Sequence, residues 1–75
     1  MARRKVTSDV TGMIRRLEVA PGASVAAGDT ILIMESMKME IPVAAPAAGI
    51  VRDFHVDEDA FVQEGQLLAT LETSD

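Results

Sequence analysis

Residues 12–35 read GMIRRLEVAPGASVAAGDTILIME, and residues 49–72 read GIVRDFHVDEDAFVQEGQLLATLE. At an offset of 37 the two stretches align without a gap. Gly12/Gly49, Arg15/Arg52, Val19/Val56, Ala23/Ala60, Val25/Val62, Gly28/Gly65 and Glu35/Glu72 are identical pairs. Met13/Ile50, Ile14/Val51, Leu17/Phe54, Ile31/Leu68 and Met34/Leu71 exchange one apolar residue for another. A unit present only twice predicts a single domain over residues 1–75 with two-fold pseudosymmetry, not a repeat array.

Each half reads as β. Met13, Leu17 and Val19 alternate with Ile14, Arg16 and Glu18, and Ile50, Phe54 and Val56 alternate with Val51, Asp53 and His55. This phase predicts an inner face broken only by Arg15 and Arg52, placed near a sheet edge with packed stems and solvated heads. Turns follow at Ala20-Pro21-Gly22 and Asp57-Glu58-Asp59, where Gly22 suits a positive φ and Asp59 tolerates one. A short apolar touch at Val25 or Val62 leads to a second turn at Gly28-Asp29 or Gly65-Gln66. Strong strands close the halves at 31–34 and 67–71. No stretch keeps a helical period for three turns, and Gly and Pro punctuate the chain. The expected fold is all-β: two short sheets packed as a flattened barrel with interlocked halves.

Composition excludes several classes of function. The 75 residues contain no cysteine and one histidine, so a disulfide framework, a zinc finger and a cysteine nucleophile are ruled out. The net charge is −5, and no Lys or Arg follows Arg52. With only Phe54 and Phe61 as aromatics, neither a basic footprint nor a stacking platform for nucleic acid exists. Apolar runs are far shorter than the ~20 residues of a membrane span. Arg3-Arg4-Lys5 reads as a solvated terminus with no signal-peptide core behind it, so a cytoplasmic monomer is expected. His55 has no second His nearby and reads as a surface residue. No nucleophile–base pair or phosphate loop can be assembled, so catalysis by this chain is not expected.

Between the halves lies Glu35-Ser36-Met37-Lys38-Met39-Glu40-Ile41-Pro42-Val43, a stretch without an evident counterpart. Apolar runs at 31–34 and 41–45 flank it, which predicts a hairpin over 35–43 with Met37 and Lys38 near the tip. Neither residue is a turn former, and broken local rules mark functional positions. Pro42 and Pro46 are expected to protect strand ends. Glu35 matches Glu72, so it has a structural reading beside a recognition one.

Glu35-Ser36-Met37-Lys38-Met39 resembles the attachment motif of biotinyl domains, usually Glu-Ala-Met-Lys-Met, and the repeated flanks resemble that family across essentially the whole chain. The resemblance implies a barrel-sandwich hybrid of two four-stranded antiparallel sheets with the modified lysine on an exposed hairpin. It implies covalent biotin on Lys38, with Glu35, Ser36, Met37 and Met39 read by biotin protein ligase. It further implies a biotin carboxylase and a carboxyltransferase as partners, the latter choosing the acceptor (an acyl-CoA, pyruvate or urea). Ser36 stands for the commoner Ala, and Asp59 for a frequent Gly. The segment between Val25 and Ile31 is too short for the protruding thumb of some acetyl-CoA carboxylase carriers. Lipoyl carriers share this architecture but usually carry Asp-Lys-Ala. An unmodified scaffold of the same fold is the third reading.

Overall fold

The computed structural model describes residues 2–73. Eight strands follow one another: β1 (Ala2–Thr7), β2 (Gly12–Leu17), β3 (Ser24–Val25), β4 (Thr30–Ser36), β5 (Met39–Ala44), β6 (Gly49–Phe54), β7 (Phe61–Val62) and β8 (Leu67–Thr73). They form two four-stranded sheets, ordered β1-β8-β6-β3 and β5-β4-β2-β7, with every pairing antiparallel. Each sheet draws strands from both halves, so neither half encloses a core alone. Among the described residues no helix is long and apolar enough to cross a membrane.

The offset of 37 relates not only β2, β3 and β4 to β6, β7 and β8 but also β1 to β5. The symmetric sets therefore run over 2–36 and 39–73, and the segment between them shrinks to Met37-Lys38. This corrects the expectation that all of 35–43 lacks a counterpart. Arg3, Arg4 and Lys5 are exposed, as a solvated terminus requires, and belong to the edge strand β1. Their exposed charges protect an edge against pairing with another chain. The other β5–β4 edge carries Pro42 within the strand, opposite Ile33, and not at its end.

The inner face differs from the simple alternation. The pairing of β2 with β4 steps from Ile14↔Met34 to Arg16↔Ile33, leaving Arg15 as an extra residue. The pairing of β6 with β8 steps from Val51↔Leu71 to Asp53↔Thr70, leaving Arg52 extra. Both arginines are β-bulges on inner strands, and a bulge shifts the phase of the side chains that precede it. Inward positions thus fall at 12, 14, 17 and 19, which buries Ile14 completely and exposes Met13. Val51 replaces Ile50 on the inner face in the same way. The bulge explains why a charge interrupts an otherwise apolar period in both halves.

Symmetry pairs fill the core: Ile14 with Val51, Val25 with Val62, Ile31 with Leu68, Leu32 with Ala69, and Met34 with Leu71, all buried. Gly22 and Asp59 hold positive φ, as the sequence predicts, and Gly28 and Gly65 hold it at the second turns. The Gly28 and Gly65 turns are tied by matching backbone hydrogen bonds. Gly28 N–H donates to Ala45 O at 2.9 Å and Gly65 N–H to Ser8 O at 2.7 Å.

Each bulge arginine meets the glutamate that the repeat conserves with it. Arg52 Nε donates to Glu72 Oε1 at 2.9 Å, and Arg15 Nη1 lies 3.6 Å from Glu35 Oε1. Hydrogen bonding from Arg52 holds the Glu72 carboxyl below its usual 4.5 against a smaller opposing desolvation, with the charges of Arg52 and Arg3 assisting. A carboxyl depressed by folding stabilises the protein above its unfolded pKa and loses that contribution as pH falls through the folded one. The thermal midpoint is therefore expected to drop on acidification below 4.5. Melts across that range should show a shallower drop for Glu72→Gln, and an unchanged slope would contradict the pairing.

Candidate functional site: the Met37-Lys38 hairpin

Strands β4 and β5 stay in register to the tip, Glu35 opposite Glu40 and Ser36 opposite Met39, so Met37 and Lys38 alone make the turn. Their φ angles are 53° and 66°. Two-residue hairpins with positive φ at both central positions match the twist of the strands, which is why Asn-Gly usually fills them. A side chain held there costs about 1 kcal/mol, so this turn keeps Met and Lys against local preference. Met37→Asn is expected to raise Tm by about 2–6 °C by relieving part of that strain. A thermal melt that shows no gain would refute the strain.

Neighbouring strands over-determine the turn. Ser36 Oγ donates to Thr11 O at 2.8 Å, which ties the hairpin to the residue before β2. Arg15 reaches Glu35, and Arg16 lies 3.8 Å from Glu40 while its Nε bonds Glu18 at 2.8 Å. Exposed pairs of this kind contribute at most about 1 kcal/mol each, but several converge on the base of one hairpin. Glu35 and Ser36 are thus half-buried residues with structural partners.

Met37 and Met39 behave differently. They are 92% and 65% exposed, thioether chains held in water. Lys38 is exposed between them, and no described residue forms a hydrogen bond or ion pair with it. The arrangement presents one primary amine at the apex of a rigid two-stranded arm, with apolar side chains on either side. A free amine so placed is a nucleophile that another protein's active site can accept, once that site removes its proton.

Two residues that sequence reasoning passed over belong to the same end. Met13 pairs with Phe61 across β2 and β7, and both are exposed, Phe61 by 66%. With Thr11, Met37 and Lys38 they line a groove of about 330 Å³. The signal available was Phe61 itself, one of two aromatics, standing where the first half has Ser24. His55 is not part of this end: its Nε2 lies 2.8 Å from Thr70 Oγ1 on the other sheet. Among the described residues no group of His, Asp and Glu is arranged to hold a metal ion.

Known proteins resemble this chain over most of its length. A biotin/lipoyl attachment protein of Bacillus subtilis is 38% identical over 69 residues, covering 92% of this chain and 94% of that protein. A homologue of biotinylated protein TB7.3 from Mycobacterium leprae is 36% identical over 66 residues, covering 88% and 93%. Among solved structures, the urea carboxylase of Kluyveromyces lactis matches with a TM-score of 0.91 at 30% identity. That match covers 96% of this chain but 6% of the carboxylase, so the same fold is embedded there in a far larger protein. The profile of the biotin/lipoyl family, described as biotin-requiring enzyme, matches residues 4–71, and the chain belongs to that family.

Proposed function

We propose that this chain is a biotin carboxyl carrier, acylated on Lys38 by a biotin protein ligase and visited in turn by a biotin carboxylase and a carboxyltransferase. The observation that carries the reading is Lys38: exposed, unpartnered and fixed at positive φ in the tip of a two-residue turn. The chain is a carrier and not a catalyst. It works as a monomer in the cytoplasm.

The residues divide the labour. The hairpin holds Nζ clear of the barrel, so the amine enters a ligase site without unfolding anything. Nζ forms the amide by attacking a biotin carboxyl carbon that the ligase has activated with ATP, giving up a proton to the ligase site as the activating adenylyl group leaves. Met37 and Met39 displace water from the walls of that site, a task their adaptable side chains suit. Bound biotin supplies a ureido nitrogen that accepts a carboxyl group at one enzyme and yields it at the next. The barrel keeps that load at high effective concentration near each partner, and the partner chooses the acceptor.

The lipoyl alternative is answered by a paired assay. Purified chain is treated with biotin, ATP and biotin protein ligase, or with lipoate, ATP and a lipoyl ligase, and weighed intact. The expected result is one biotinyl group and no lipoyl group. Lipoylation alone would overturn the assignment, and modification by neither would favour the unmodified scaffold.

A further inference from the structure

The barrel's pseudosymmetry supplies an internal control for the Lys38 end. Where that end carries Phe61, the equivalent position is Ser24, and where it carries Met39 the equivalent is Ala2. Both ends close the same barrel with the same strand lengths, so the fold does not require a phenylalanine at position 61. A ring 66% exposed adds little to the core, and Met13 beside it is turned outward by the Arg15 bulge. Among the described residues the exposed large hydrophobic side chains, Met13, Met37, Met39 and Phe61, all lie at the lysine end.

We infer that the groove between Phe61, Met13 and Met37 is a resting site for the biotinyl group carried by Lys38. The inference rests on Lys38 carrying biotin, and the groove fits that group in three respects. Lys38 itself lines the groove, so the arm is rooted at its rim. Its volume of about 330 Å³ accommodates a fused bicyclic ring. Its lining pairs an aromatic side chain and thioethers, suited to the sulfur-bearing ring, with Thr11 and Glu35. The oxygens of these two take Glu64 N–H and face Arg15, respectively, and keep further lone pairs for ureido N–H groups. Tethering places the ring at an effective concentration in the millimolar range, so a contact of only millimolar affinity is occupied about half the time. The loaded arm of the free carrier is then folded onto the barrel, and a partner captures it from the extended fraction.

The test compares NMR spectra of apo and biotinylated chain, with biotinylation verified by intact mass. On loading, the Met13 methyl and Phe61 ring signals shift, and the biotin ring protons move upfield of their positions in biotinyl-lysine. Phe61→Ser, which borrows the residue of the symmetric position, returns the biotin protons to those positions without lowering Tm. It also raises the rate of capture by streptavidin about twofold, as expected when a half-occupied closed state is removed. Biotin signals identical to those of biotinyl-lysine in the wild type would overturn the inference. So would a Phe61→Ser variant with unchanged biotin signals and slowed ligation, which would make the patch a contact for the ligase. Absence of a mass gain would instead sink the assignment of Lys38, and the resting site with it.

Discussion

Lys38→Arg is expected to abolish biotinylation completely while leaving the thermal midpoint unchanged. Arginine keeps the positive charge and the long stem, so electrostatic recognition of the hairpin survives. Its guanidinium stays protonated under all practical conditions and offers no nucleophilic nitrogen. Because Lys38 is exposed and forms no hydrogen bond or ion pair with the described residues, its replacement falls among surface substitutions worth within about 0.5 kcal/mol. Intact masses and melts of the two proteins check both halves of the expectation. Residual labelling of Lys38→Arg would move the attachment site to Lys5, the one other lysine.

The second large effect concerns stability and uses the symmetry to separate structure from function. A Cβ on Gly12 would overlap the carbonyl oxygen of Glu35, and a Cβ on Gly49 would overlap that of Glu72. Neither glycine has a positive φ, so what each provides is space for a neighbouring strand. Forcing β-strand backbone apart costs about 1–3 kcal/mol, against a total stability of about 4–11 kcal/mol for a chain of this length. Gly12→Ala and Gly49→Ala should each lower Tm by about 10 °C, and the double variant should lose roughly the sum. Only Gly12→Ala displaces the strand that leads into Met37-Lys38, so it alone should slow ligation. Equal slowing by both variants would indicate that lost stability, and not hairpin position, governs the rate.

How far the sequence discloses this molecule depends on how tightly each residue is constrained. The gapless alignment of 12–35 with 49–72 is legible because Gly12, Arg15 and Glu35 form one packed set and Gly49, Arg52 and Glu72 another. Strands β1 and β5 were not legible as a pair. They sit on sheet edges, where solvent accepts Arg3 or Glu40, Lys5 or Pro42 alike, and Val6/Val43 is the one identity left. The inner face was read one residue out of phase at Met13 and Ile50, since a bulge leaves no mark in hydropathy beyond an arginine in an apolar period. At the site, Met37 and Lys38 stood out by breaking a turn rule, and their φ angles are 53° and 66°. Phe61 did not stand out. Its approach to Met13 is a cross-strand pairing between residues far apart in the chain, and no local pattern encodes it.

Transfer of the carboxyl group onto the chain is the central claim, and it is measured directly. Biotinylated chain is mixed with a biotin carboxylase, MgATP and labelled bicarbonate, and label bound to protein is counted after rapid separation. The account predicts ATP-dependent incorporation approaching one carboxyl per biotinylated chain, and none on Lys38→Arg. A folded, fully biotinylated chain that takes up no label with carboxylases competent on other carriers would contradict it.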